Sequence, residues 1–176
     1  MIDMPSVSPD ETSGPDYAKY LTVDLGGYRL TKYKEMAGNE GMCFSATITK
    51  DGKDVLTVSN DGNDGNNRYS TYGAEYKALL AQANAWADYV GEPSPRFEVE
   101  DSFVEYLIEC SALSRMRAVA FIDGDQNPFD PNDGRYFRTG AGVLRETVVR
   151  DLAKSPAHKS PRVWDKTTWR FEPVTR

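Results

Sequence analysis

Alternation of apolar and polar positions is clearest over Met42-Cys-Phe-Ser-Ala-Thr-Ile-Thr49. Phe44, Ala46 and Ile48 fall on one side there, and Cys43 and Ser45 on the other. A period of two marks a strand with one buried face. Lys50-Asp-Gly-Lys53 supplies turn residues and Val55 to Ser59 brings the chain back, so the pattern predicts a hairpin. Two further extended runs, Tyr17 to Leu25 and Tyr28 to Glu35, flank Gly26-Gly27, whose tolerance of positive φ suits a tight hairpin turn. The period changes from Ala74 to Val90. Tyr76, Leu79, Leu80, Ala83, Trp86, Ala87 and Val90 recur at helical spacing, and Gly91 can supply a left-handed C-terminal cap.

Pro93 and Pro95 stop that helix, and Phe97 to Glu100 reads as a short strand. Ser102-x-x-Glu105 has capping-box spacing for a helix running to about Leu113. Arg117 to Asp123 reads as a buried strand, with Tyr136-Phe-Arg138 as its returning partner. Leu144, Val148 and Leu152 form the stripe of a third helix, and Arg162 to Pro173 alternates like a last strand whose Trp164 and Trp169 pack on a sheet. Hairpins interspersed with helices predict an α+β fold, an antiparallel sheet of hairpins with about three helices packed on it. Residues 1-16, rich in Pro, Ser and Asp, are expected to be a flexible N-terminal tail, and 17-176 a single domain.

The charge narrows the function. A net charge of −6 and a pI near 4.9 argue against an electrostatic footprint for nucleic acid or an anionic membrane. No apolar run reaches the roughly 18 residues of a membrane span and no basic, apolar leader begins the chain, so the expectation is a cytoplasmic protein. Cys43 and Cys110 lack CxxC partners or nearby histidines and are expected to be free thiols. No cofactor, no metal and no catalytic residue is signalled by any motif.

One loop is too long for a turn. Between Val58 and Tyr69 the chain reads Ser-Asn-Asp-Gly-Asn-Asp-Gly-Asn-Asn-Arg, without an apolar side chain, whereas a hairpin needs about two to five residues. Its backbone N–H groups around Asn60, Gly62, Gly65, Asn66 and Asn67 could form an anion nest beside the start of the helix at Ala74. Arg68 would add a guanidinium, and Tyr69 and Tyr72 rings, a combination suited to a nucleotide. Asp61 and Asp64 oppose an anion, and the pattern is neither GxGxxG nor a P-loop.

Other candidates carry less. Asp123-Gly-Asp125-Gln-Asn127 opens like a calcium loop, but Pro128 stands where the turn glycine belongs and Gly134 where a bidentate glutamate belongs, so it reads as a solvated turn. His158, the sole histidine, lies in a proline-bounded loop with no marked nucleophile and reads as a surface residue. Arg115, Arg117, Arg135, Arg138, Arg145 and Arg150 read as a solvated surface, with an arginine-lined face for a phosphorylated ligand or acidic partner as the alternative.

Glu40-Gly-Met-Cys-Phe-Ser-Ala-Thr-Ile-Thr-Lys-Asp-Gly-Lys53, followed by Val58-Ser-Asn-Asp-Gly-Asn-Asp-Gly-Asn-Asn-Arg-Tyr69, resembles a family of small uncharacterised proteins common in bacteriophages and prophages. Those proteins pair a strand ending in FSAT with a DGK turn and a strand running into SNDG and a glycine-rich loop. Ala118 to Asp125 and Arg135 to Thr139 are similar more weakly, and residues 126 to 134 and the N-terminal tail depart from the pattern. The resemblance implies a phage accessory protein in the bacterial host cytoplasm, a non-enzymatic binding protein that counteracts host defence. Its partner would be a nucleotide-like signal sequestered by the 60 to 69 loop, Arg68, Tyr69 and nearby arginines. The alternatives are a protein-interaction inhibitor of a host protein and, third, an unrecognised hydrolase; self-association is left open.

Overall fold

The computed structural model describes residues 16–38, 41–63, 65–93, 95–124, 126–130, 132 and 134–176. The expected tail before residue 16 lies outside the described residues. The fold is α+β, and the described residues form three α-helices and two four-stranded antiparallel sheets in place of the one sheet expected.

The first sheet has the order β1 (Tyr28–Ala37), β2 (Met42–Lys50), β3 (Lys53–Asp61) and β4 (Arg68–Tyr69). The hairpin read from the sequence is β2 and β3, with Ala46 opposite Val58 and Ile48 opposite Leu56. Asp51 and Gly52 both take positive φ at its tip, the geometry that matches a two-residue turn to strand twist. Phe44, Ala46, Ile48, Leu56 and Val58 are buried, as the alternation requires.

The first hairpin is different from the expected one. Tyr17–Leu21 is a 3-10 turn, started by Asp16 Oδ1 accepting the Ala18 N–H at 3.1 Å, and only the second run, β1, is a strand. Spacing of three along that turn puts Tyr17 and Tyr20 on one side, where their rings stack at 5.5 Å.

Helix α1 (Ala74–Val90) ends where expected, with Gly91 left-handed and its N–H on Ala87 O. Helix α2 (Val99–Arg115) starts earlier than the capping box at Ser102 implies, and the short strand at 97 to 100 does not form. Val99 and Phe103, one turn apart and both buried, draw the first turn into the core.

The second sheet has the order β6, β5, β7, β8, with β5 (Ala120–Ile122), β6 (Phe137–Arg138), β7 (Arg162–Asp165) and β8 (Arg170–Pro173). The single last strand of the sequence reading is thus a hairpin. Asp165 Oδ1 accepts the N–H groups of Thr167 and Thr168 and folds the chain back without glycine or proline. Trp164 packs on Phe171 at 5.1 Å, and Trp169 lies under Arg29 of β1 at 5.0 Å. Helix α3 (Arg145–Lys154) covers Val163 with Val148 and Leu152 in a small separate cluster. The main core joins both sheets, α1 and α2.

Candidate functional site

The Gly/Asn loop leaves β3 at Asp61 and re-enters the sheet at Arg68. Its slack is taken up by its own side chains. Asn60 Nδ2 donates to Gly65 O at 2.8 Å and to Asn67 Oδ1 at 3.1 Å, while Asn60 Oδ1 accepts the Gly62 N–H at 2.8 Å. One carboxylate on α2 then fastens the loop to the body: Asp101 accepts the Asn67 N–H at 2.9 Å and the Tyr69 hydroxyl at 2.6 Å. Burial, and then this hydrogen bond, raise the Tyr69 hydroxyl far above the ordinary phenol range, so it stays a donor.

Between loop and helix lies a cleft of about 390 Å³. Asn60, Gly62, Gly65, Asn66 and Asn67 form one wall. Phe97, Glu98, Asp101, Ser102 and Glu105 form the other, and among the described residues no lysine or arginine lines it. Phe97 is 82% exposed at the rim. Glu98 precedes the helix with φ +55° and ψ 40°, a left-handed conformation that costs a non-glycine residue energy. The Glu105 carboxyl is raised above its usual range by burial and then by the neighbouring charges of Asp101 and Glu109.

The structure therefore brings together Asn60, Gly62, Gly65, Asn66 and Asn67 of the expected site and separates the rest. Arg68 and Tyr69 are consecutive strand residues and face opposite ways. Tyr69 is buried against Asp101, whereas Arg68 pairs with Asp61 at 2.8 Å and lines another groove beside Lys34, Met36 and Cys43. Tyr72 is 59% exposed, its ring against Tyr69 and Tyr76, and does not line the cleft. The helix start beside the loop is that of α2 rather than α1, and its first turn already carries Glu100 and Asp101.

The acidic wall was missed because 97 to 100 read as a strand and Ser102 with Glu105 as a cap. The available signal was the spacing of Asp101 and Glu105, four residues apart, which puts two carboxylates on one helical face shortly after Glu98. The loop's fastening by Asp101 had no local signal.

Of the other candidates, Asp123 secures a loop. It accepts the N–H groups of Ser160 at 2.9 Å and Lys159 at 3.4 Å and lies 3.3 Å from His158 Nδ1, which sets His158 between Asp123 and the rings of Phe121 and Phe137. Asp125 and Asp133 lie outside the described residues. Among the described residues no group of three or more His, Cys, Asp or Glu could hold a metal ion. Three of the arginines are engaged locally: Arg115 over the Tyr33 ring, Arg145 on Asp165 and Trp164 O, and Arg150 on Asp151. Cys43 and Cys110 are free thiols.

None of the described helices is long and apolar enough to cross a membrane. Comparison of the chain with protein-family models, curated proteins and solved structures gives no match.

Proposed function

We propose that this protein is a non-enzymatic binding protein, of phage origin, that counteracts host defence by docking a basic segment of a host protein in the cleft between the Gly/Asn loop and α2. The observation that carries this reading is the lining of the cleft: Glu98, Asp101 and Glu105, with no lysine or arginine among the described residues. Such a wall attracts lysine, arginine and N–H donors and repels phosphate. The exposed Phe97 at the rim offers an apolar anchor. The loop is held by its own hydrogen bonds and by Asp101, which lowers the ordering cost on binding. Origin and role rest on the resemblance carried by residues 40 to 53 and 58 to 69.

Sequestration of a nucleotide remains the second reading, favoured by the backbone N–H groups of the Gly/Asn loop. It needs a guanidinium beside the phosphates, and Arg68 is paired with Asp61 on the other face.

The test is capture from infected host cells on the immobilised protein, compared with a Phe97→Ala, Glu98→Gln variant. A host protein retained by the wild type and bound at least about tenfold more weakly by the variant, at unchanged Tm, supports the docking reading. Equal retention by both overturns it. Intact nucleotide released on heating the wild type, with no protein captured, decides for sequestration, and degraded nucleotide for a hydrolase.

A further inference from the structure

The net charge of −6 hides a division along the chain. Residues 134 to 176 carry ten lysines and arginines against four aspartates and glutamates, a charge of +6, so residues 1 to 133 carry −12. The basic stretch supplies β6, α3, β7 and β8, which is the second sheet apart from β5, together with its helix. Such a split within one chain points to an anionic partner for the basic part, whatever the total charge. Its cations are not all used within the protein. Arg138, Lys154 and Lys159, with Arg117 just before β5, are exposed and have no side-chain hydrogen bond or ion pair among the described residues.

These cations border one edge of the second sheet. β6 lies at the end of the strand order, and from Gly134 to Leu144 every residue except Thr139 is exposed. Phe137 of β6 is 44% exposed, yet its ring is fixed: it stacks on Phe121 of β5 at 5.1 Å and 24°. His158 meets both rings from the side, at 5.9 Å from Phe121 and 6.3 Å from Phe137. Arg138 follows Phe137 in the strand, and Lys159 follows His158. The Arg117 carbonyl accepts the Gly142 N–H at 3.4 Å, which sets residue 117 against the chain leaving β6. Lys154 ends α3 beside Ser155, and Arg176 donates to both Ser155 O and His158 O, tying the end of α3 to the His158 loop. Asp123, the carboxylate against His158, is already engaged by the N–H groups of Lys159 and Ser160. The rings and the surrounding cations are therefore held in place before any ligand arrives.

We propose that the β6 edge of the second sheet binds single-stranded nucleic acid without sequence preference, a base stacking on Phe137 and the phosphates meeting Arg117, Arg138, Lys154 and Lys159. Unpaired bases expose flat π faces that a fixed ring can match, and a phosphate chain supplies charges for cations that lack partners in the protein. A duplex keeps its base faces stacked inside and offers Phe137 nothing beyond its phosphates. An acidic peptide would satisfy the cations but leave the ring without a flat partner. Phe137 lies against Phe121 instead of projecting, so it gives a bilayer no wedge to insert. This surface belongs to the second sheet, and the inference stands whether or not a host protein docks in the cleft of the first.

The probe is a fluorescein-labelled oligothymidylate of about ten nucleotides, titrated with the full chain and followed by anisotropy. Saturable binding should appear at about 50 mM salt and weaken with a slope of about −2 to −3 in log K against log salt, as four phosphate contacts require. Phe137→Leu keeps an apolar contact with Phe121 but removes the ring, and should weaken binding at least about fivefold at unchanged Tm. Arg138→Gln with Lys159→Gln alters only exposed side chains, so it should leave Tm alone and flatten the salt slope by about 1. That variant keeps the test open if Phe137→Leu fails to fold. No binding at low salt, equal affinity for a duplex of the same length, or equal competition by polyglutamate of the same charge each overturns the proposal. So does an unchanged affinity in folded Phe137→Leu, an unchanged slope in the double variant, or retention on phosphatidylglycerol vesicles without retention of the oligonucleotide.

Discussion

Asp101 is the residue on which the loop depends, because a single carboxylate satisfies the Asn67 N–H and the Tyr69 hydroxyl at once. An amide at this position can accept with only one of its two heavy atoms, so Asp101→Asn leaves one partner unpaired. The expected loss is about 1 to 3 kcal/mol in chemical denaturation, with faster hydrogen exchange at Asn67 than in β2. Asp123 behaves differently. Burial opposes its ionisation but is outweighed by the N–H groups of Ser160 and Lys159 and by His158, so its carboxyl titrates below the ordinary range. The unfolded chain then binds more protons than the folded one, and the stabilisation is complete only above the unfolded pKa of about 3.9. It is lost as the pH falls through the lowered folded value. Calorimetry should find Asp123→Asn less stable than wild type near neutral pH, with the difference shrinking towards about pH 3. Neither role was legible in the sequence: Asp101 acts on residues 32 and 34 positions away and Asp123 on residues 35 to 37 positions away, and no local pattern encodes such pairs. The separation of Arg68 from Tyr69 follows from strand alternation, but a strand of two residues has no periodicity by which to recognise it.

At the scale of elements, the loop's two glycines are not equivalent. Gly62 has φ +70°, and a Cβ there would lie 3.0 Å from Gly38 Cα, 3.1 Å from Cys43 N and 3.2 Å from Gly41 O, all backbone atoms. A Cβ at Gly65 would meet nothing within 4 Å among the described residues. Gly62→Ala should therefore destabilise by about 1 to 3 kcal/mol in denaturant titration, while Gly65→Ala stays within about 0.5 kcal/mol of wild type. The β2 and β3 hairpin and α1 were legible because each carries its period over a full element and ends in a left-handed glycine, Gly52 and Gly91. The start of α2 was not, since Glu98 and the pair Val99 and Phe103 set it rather than a polar cap. The turn at Lys166 to Trp169 was hidden for a related reason: the Asp165 side chain makes it, and Trp169 itself takes φ +57°.

For the molecule as a whole, alternation reports that a strand has a buried face but not which sheet it joins, so two sheets read as one. Their division matters less to stability than their shared interior. Ile48 and Leu56 of the first sheet, Trp86 of α1, Leu107 of α2, and Ile122, Trp164 and Phe171 of the second sheet belong to one buried cluster. Denaturation followed by tryptophan fluorescence and by far-ultraviolet circular dichroism should accordingly give coincident transitions; separated midpoints would mean that the sheets melt independently.

The reach of Arg29 from β1 to Trp169, and to Thr168 O at 3.2 Å across 139 residues of sequence, also bears on how the chain is made. On the ribosome the first sheet can pair as its hairpins emerge, yet Trp164 and Phe171, which complete the core, are synthesised only after the whole first sheet, α1 and α2. Until then the apolar surface awaiting them is open to chaperones and to other nascent chains. A fragment ending before Arg162 is expected to bind a hydrophobic dye and to aggregate, whereas the full chain does neither; a soluble, dye-silent fragment would mean that the interior closes without its final hairpin.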